Sequence, residues 1–284
     1  MKLGNRGASC SINGKQYERL INDVCAHCTS PHTGKPLSTS LSHLLGGCSE
    51  RYDLQLNWKR DNDINIEIKR STAPDWIQAR LCMDAHTNQW CMKGTGSSVV
   101  ARPIIDNILK NAHIYEKAPP FLSNDKNVSM TYDQWNMIKH NFPDVYISCP
   151  DDAIARAYQA KGVHYIQLEH HGLYHTGEDV CNFGVPLFAC HQRLRIRCKR
   201  HGLRCKITGK YIPTSVTAAF RPIFKTLVKS PISMDNNFER ALQNIKFSSH
   251  KSKATAGCDQ VLTRAAYARL QNGATTPYRS LNSA

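Results

Sequence analysis

Two short stretches of alternating apolar and polar residues, separated by a polar turn, constrain the fold of this chain more than any other feature. Residues 53–58 read DLQLNW and residues 64–69 read INIEIK, with apolar side chains at even positions in both. Such period-two alternation is typical of half-buried strands. The five intervening residues are Lys, Arg, Asp, Asn and Asp, a polar set in which Asp and Asn favour turns. The sequence therefore predicts an antiparallel β-hairpin.

The hairpin is expected to bring three charged residues together. Antiparallel pairing about this turn places residues of equal parity opposite one another, so the even apolar residues share the core face. Asp53, Glu67 and Lys69 then share the other face, where directly opposed β-carbons lie about 5 Å apart. Asp53 is therefore expected near Glu67 or Lys69, depending on the register that the turn selects. Two carboxylates at that separation can hold one hard divalent cation. The alternative is an ordinary solvated strand face, on which the Glu-x-Lys sequence has no chemical role.

The segments on either side of the hairpin extend this pattern. Residues 14–24 have apolar side chains at helical spacing, with Glu18 on the flank of the predicted helix. Residues 73–81 are predicted to form a second helix, with Gln78 about one turn inside it. The order is therefore a helix with Glu, a strand with Asp, a strand with Glu-x-Lys and a helix with Gln.

This order resembles the PD-(D/E)XK nuclease superfamily, which includes restriction enzymes, Holliday-junction resolvases and repair nucleases. The resemblance covers residues 10–82, continues weakly through residues 165–168, and has Tyr52 in place of the proline of the family name. It implies an α/β fold with a mixed central sheet flanked by helices, a restriction-endonuclease-like core with insertions. It also implies Mg²⁺-dependent hydrolysis of DNA by an endonuclease of the restriction or repair kind, with Mn²⁺ as a substitute metal.

The resemblance also implies a role for each site residue. The carboxylates of Asp53 and Glu67 would be metal ligands, and the backbone carbonyl of Ile68 would be a third. Lys69 would orient or deprotonate the attacking water, because burial and a nearby cation both disfavour its charged form. The metal would polarise the phosphoryl oxygen and supply a nucleophilic water. Two further residues would assist, Glu18 as an optional ligand and Gln78 as an auxiliary polar residue at the cleft.

The charge of the chain favours a polyanionic partner. Lys and Arg number 37 against 22 Asp and Glu, which gives a formal net charge of +15. Charge alone does not distinguish DNA from RNA. Around residues 193–197 arginines alternate with apolar residues, which predicts a strand with one basic face, and the alternative is a solvated edge strand. The predicted nucleic-acid-binding residues are Arg193, Arg195, Arg197, Lys199 and Arg200.

The twelve cysteines offer a rival hypothesis. Residues Cys190, Cys198, His201 and Cys205 could form a tetrahedral structural zinc site, which would favour a non-catalytic nucleic-acid-binding protein. A CAHC sequence at residues 25–28 has zinc-knuckle spacing, but its cysteines continue the apolar face of the first helix, which favours buried thiols. A third hypothesis is a degenerate nuclease that binds DNA without cleaving it.

The sequence suggests two parts. Residues 1–235 are expected to form the nuclease domain, with a catalytic core at 10–82, an insertion at about 101–145 and a continuation at 145–230. Residues 236–284 are expected to form a basic, polar C-terminal helix and a disordered tail. No signal segment and no run of eighteen apolar residues is found, which favours a soluble intracellular protein, cytoplasmic or nuclear, without a membrane partner. No Walker-type loop suggests a nucleotide cofactor, and a homodimer is left open.

Overall fold

The structure is a computed structural model that describes residues 6–38, 52–60, 62–84, 86–93, 100–122, 131–200 and 213–251. Contacts between residues divide the chain into two compact units, residues 1–242 and residues 243–284. The helices are α1 (Arg6–His27), α2 (Arg102–Lys110), α3 (Tyr132–Asn141), α4 (Ala153–Ala160) and α5 (Phe238–Lys251). The strands are β1 (Leu54–Lys59), β2 (Asn62–Lys69), β3 (Trp76–Met83), β4 (Trp90–Met92), β5 (Val145–Cys149), β6 (Tyr165–Leu168), β7 (Gly172–His175), β8 (Gln192–Arg200) and β9 (Pro213–Pro222).

The predicted hairpin is present as β1 and β2. Leu54 lies opposite Ile66 and Leu56 lies opposite Ile64, so residues of equal parity pair as expected. The even apolar side chains are buried, which confirms the predicted core face: Leu54, Leu56, Ile64, Ile66 and Ile68. The hairpin supplies the first two strands of a four-stranded sheet with the order β1-β2-β6-β7. Strands β2 and β6 are parallel, and the other neighbouring pairs are antiparallel.

A second, five-stranded sheet has the order β4-β3-β9-β8-β5, and all its strand pairs are antiparallel. The α/β class and the mixed sheet are confirmed, whereas the sequence predicted one sheet and the described residues form two. Both sheets contribute to one apolar core, which includes Ile166 and Leu168 from the first sheet, Leu194 and Phe220 from the second, and Tyr158 from α4.

The helix predicted at residues 73–81 is wrong, because this segment is strand β3. Trp76, Ala79 and Leu81 are its buried residues, and the strand register shifts between Trp76 and Ala79. Ile77, inside this irregularity, has a positive φ of 47°. Because of this irregularity, Trp76 and Ala79 are three positions apart, whereas Ala79 and Leu81 are two apart. The three-residue interval is also typical of the buried face of a helix, which explains the wrong prediction.

The remaining elements follow the sequence more closely. The sequence also predicts helices near residues 105–110, 132–140 and 151–160 and strands at residues 145–148 and 163–168, and α2, α3, α4, β5 and β6 occur there. Gly162 follows α4 with a left-handed φ of 78°. Helix α5 lies within residues 236–284, where a C-terminal helix was expected, but it precedes residues 259–270, whose spacing carried that prediction. Residues 259–270 and the expected disordered tail lie outside the described residues. No helix in the described ranges is long and apolar enough to cross a membrane.

Candidate active site

Two carboxylates and one carbonyl surround the ammonium group of Lys69. Asp53 immediately precedes β1, and its backbone N–H donates to the carbonyl of Ile66 at 3.1 Å, which places it across from Glu67. Lys69 Nζ lies 3.1 Å from Asp53 Oδ2 and 2.5 Å from Glu67 Oε1. It also donates to the carbonyl of Ile68 at 3.3 Å. The three oxygens predicted as metal ligands thus converge on one cation.

Both carboxylates are buried. Asp53 is 8% exposed and Glu67 is 4% exposed, so this end of the hairpin is not the ordinary solvated strand face of the alternative. Asp53 Oδ2 accepts a further hydrogen bond from the backbone N–H of Ile68 at 2.9 Å, which fixes its orientation. Lys161, which follows α4, places its Nζ 3.6 Å from Glu67 Oε2. That Oε2 atom is buried and makes no hydrogen bond in the described structure.

Burial and neighbouring charges perturb the ionisation of this cluster. Burial raises the pKa of Glu67 above its ordinary value. The positive charge of Lys69 lowers this pKa, and the negative charge of Asp53 raises it further. Burial disfavours the positive charge of Lys69, but Asp53 and Glu67 outweigh it and hold the pKa of the ammonium well above its ordinary value. The two carboxylates therefore favour the charged form of Lys69, and the expected effect of a neighbouring divalent cation on its pKa stays a prediction.

Glu18 approaches the same cluster from helix α1. Its side chain is half-buried, and burial raises its pKa, followed by the charges of Asp53 and, more weakly, Glu67. Lys69 acts in the opposite direction. Three carboxylates from three elements therefore influence one another, and the role of Glu18 as an optional ligand stays a prediction.

The donor set fits a hard divalent cation. Within the described ranges, no three His, Cys, Asp or Glu side chains are close enough together to hold a metal ion on their own. A ligand set at this place would therefore consist of Asp53, Glu67 and the carbonyl of Ile68, with water completing the shell. Mg²⁺ suits such a set, because it retains several waters and takes one or two carboxylates. The buried Glu67 Oε2, which lacks a hydrogen bond, is a further oxygen that a cation would satisfy.

Gln78 does not join this cluster. It lies exposed on β3, where its Oε1 accepts a hydrogen bond from Lys199 Nζ at 2.8 Å and its Nε2 lies 3.5 Å from Thr217 Oγ1. None of its contacts within the described residues is with Asp53, Glu67 or Lys69. The prediction of a polar helix residue at the cleft rested on the wrong secondary structure.

The basic strand is present as β8. Leu194, Ile196 and Cys198 face the core, while Arg193, Arg195, Arg197 and Lys199 alternate with them on the other face. The strand lies between β9 and β5, so the alternative of an edge strand is wrong. Arg200 ends the strand, and its side chain is outside the described part of the structure.

The proposed zinc ligands are separated by this strand. Cys190 precedes β8 and Cys198 lies within it, so about 20 Å of extended chain separates them. Zinc–sulfur bonds are about 2.3 Å long, and the two thiols therefore cannot bind one ion. His201 and Cys205 lie outside the described residues. Cys25 and Cys28 are buried thiols of α1 and the turn after it, as the apolar pattern predicted.

Sequence reasoning missed two residues beside the carboxylates. Lys161 forms an ion pair with Glu67. Tyr158 lies close enough that, after burial, the charge of Glu67 raises its pKa further. The helix that carries Tyr158 was predicted, but nothing in the local sequence indicates that it covers this end of β2.

No protein-family model matches the chain, and neither a curated protein nor a solved structure matches it.

Proposed function

We propose that this chain is a Mg²⁺-dependent nuclease that hydrolyses phosphodiester bonds of DNA, built on a restriction-endonuclease-like core. The observation that carries this proposal is the convergence of Asp53, Glu67 and the carbonyl of Ile68 on a single cation, Lys69 Nζ. A buried set of oxygens that already surrounds a positive charge has the polarity that a divalent metal requires.

Each residue then has a defined task. Asp53 and Glu67 bind the metal, and the hydrogen bond from Ile68 N–H keeps the Asp53 carboxylate aimed at the site. The metal, when bound, polarises the scissile phosphate and supplies a nucleophilic water. The ammonium of Lys69 neutralises charge that develops on the phosphoryl oxygens and orients the water.

The net charge of the whole chain supports a nucleic-acid substrate. A net charge of +15 attracts a polyanion, and this attraction weakens as salt screens it. Among the described residues, the buried acids Asp53 and Glu67 lie at one place, so phosphates are expected to bind around the cluster and to reach it through the metal.

A cleavage assay tests the proposal directly. Supercoiled plasmid, linear duplex and branched DNA are incubated with the chain in Mg²⁺ or in EDTA. We expect cleavage in Mg²⁺ alone, and nicking of the closed plasmid would identify endonuclease action. Glu67→Gln is expected to be inactive, while Glu178→Gln, a matched change at an exposed glutamate, is expected to retain activity. DNA binding without metal-dependent cleavage of any substrate would instead favour the non-catalytic alternatives.

A further inference from the structure

One face of the five-stranded sheet gathers arginines from three strands. Arg193 lies opposite Arg221, and Arg197 lies opposite Thr217, which in turn lies opposite Arg80. Opposed residues project from the same side of a sheet, so these basic side chains share one surface. We call this surface the cationic face, and its members are Arg80, Arg193, Arg195, Arg197, Lys199 and Arg221.

A single carboxylate organises the centre of this face. Asp75 Oδ1 lies 3.3 Å from Arg195 Nη1 and 3.5 Å from Arg221 Nε, and its Oδ2 lies 3.3 Å from Arg197 Nη2. Arg195 also contacts Asp144 at 3.2 Å and is only 12% exposed at its side chain. Among the described residues, the carboxylates of Asp75 and Asp144 thus contact a face of six cations, which holds several guanidinium groups in place and leaves an excess of positive charge.

An aromatic ring lies among these cations. Tyr146 on the edge strand β5 lies directly opposite Arg195 and is 46% exposed. The Cζ atom of Arg221 is 6.0 Å from the centre of the tyrosine ring, and Arg221 Nη1 donates to the tyrosine hydroxyl at 3.4 Å. The guanidinium limits the motion of the ring, while the exposed part of the ring can accept a flat partner.

We propose that the cationic face binds a single-stranded segment of nucleic acid, with its phosphates on the arginines and one base stacked on Tyr146. Exposed aromatic side chains beside cations are the usual means of holding single strands, because every base has a stacking surface. A duplex keeps its bases stacked internally and would leave the ring unused. This inference rests on the proposed function only in taking nucleic acid as the substrate.

The test measures binding in the absence of cleavage. Fluorescence anisotropy in EDTA follows the binding of a labelled oligothymidylate and of a labelled blunt duplex to the Glu67→Gln chain. Tyr146→Ala is expected to weaken binding of the single strand about five- to 150-fold and to leave duplex binding unchanged. Tyr146→Phe is expected to restore the affinity, and Tyr132→Ala, which removes an exposed tyrosine from α3, is expected to have no effect.

Two results would overturn the inference. Equal losses for the single strand and the duplex would mean that Tyr146 supports the arginines and does not stack on a base. If the Tyr146→Ala variant binds the single strand with unchanged affinity, the cationic face does not bind single strands through Tyr146. Either result can coexist with Mg²⁺-dependent plasmid cleavage, and a Tyr146 effect without any cleavage would contradict the nuclease proposal alone.

Discussion

The acidic cluster on the hairpin and the cationic face of the second sheet combine carboxylates and cations in opposite proportions. At the hairpin, the buried carboxylates of Asp53 and Glu67 and a carbonyl surround the ammonium of Lys69, with the carboxylate of Glu18 nearby and Lys161 3.6 Å from Glu67. On the second sheet, the single carboxylate of Asp75 contacts three guanidinium groups. The first arrangement has oxygen atoms to offer a further cation, and the second has positive charge to offer an anion.

The two regions also differ in burial, which sets the size of the effects they can produce. Charges interact more strongly when they are shielded from water. Salt at ordinary ionic strength largely screens the interaction between exposed charges that are more than about 10 Å apart. Glu67 is 4% exposed, whereas Arg193 and Arg80 are exposed. Substitutions at the hairpin are therefore expected to change the cleavage rate. Substitutions on the cationic face are expected to change the salt dependence of DNA binding.

The largest effect is expected from removing a carboxylate of the acidic cluster. Asp53→Ala and Glu67→Ala should lower the cleavage rate by at least about 10²- to 10³-fold, because the metal that would stabilise the reacting phosphate is no longer held. DNA affinity should stay within about tenfold, which is roughly 1.4 kcal/mol, because the acids are not phosphate contacts. Asp63→Ala, at an exposed position of the same hairpin, is the matched control. Near-wild-type cleavage in a variant that is folded by circular dichroism would remove these residues from the site.

Replacing Lys69 separates turnover from metal binding. Lys69→Met should lower turnover about 10²-fold, because the group that acts on water and phosphate is lost. Metal affinity should be retained or should increase, since the ammonium that competes for Asp53 and Glu67 is removed. Calorimetric titration with Mg²⁺ or Ca²⁺ measures this, with Lys225→Met as the exposed control. Loss of metal binding would mean that Lys69 supports the shape of the site.

On the second sheet, Asp75 should matter for stability. Asp75→Asn leaves three arginines without their shared counter-charge and should lower the free energy of unfolding by about 2 kcal/mol, less than for a fully buried pair because the arginines are partly exposed. Urea denaturation measures this, with Asp63→Asn as the control. An unchanged midpoint would show that the arginines are already neutralised by solvent ions.

The smallest effects are expected in the salt dependence of DNA binding. Each phosphate contact that is lost should lower the slope of log affinity against log salt by about 0.9, so changing Arg193, Arg195 and Arg197 together to Gln should lower it by up to about three. Arg193→Gln alone should account for about one contact, because this side chain is exposed. Arg195→Gln should change the slope less, because Asp75 and Asp144 already bind that guanidinium. Equal slopes for both single variants would mean that Arg195 is available to phosphates.

The hairpin shows how much of the site the sequence reveals. Period-two alternation predicted both strands and the face shared by Asp53, Glu67 and Lys69, because side-chain parity follows directly from strand geometry. It did not decide whether Asp53 lies opposite Glu67 or Lys69, because that register depends on the turn. The burial of that face could not be predicted. It depends on elements far along the chain, as the contact between Lys161 and Glu67 illustrates.

The errors have equally local causes. The irregularity between Trp76 and Ala79 broke the alternation of β3, and a strand was therefore read as a helix that carried Gln78. The cysteine spacing is compatible with zinc only if the chain folds back between Cys190 and Cys198, whereas β8 is extended from Gln192 to Arg200. The pairing of Arg195 with Asp75 joins residues 120 positions apart, which no local pattern reports.

Direct metal binding tests the central claim, that the oxygens around Lys69 form a site for a divalent cation. Mn²⁺ binding is measured by calorimetry for the wild-type chain, Asp53→Asn, Glu67→Gln and the control Glu178→Gln. We predict that the wild type and the control share one class of Mn²⁺ site, that Mg²⁺ competes for it, and that both hairpin variants lose it. Unchanged Mn²⁺ binding in Asp53→Asn and Glu67→Gln would contradict the account.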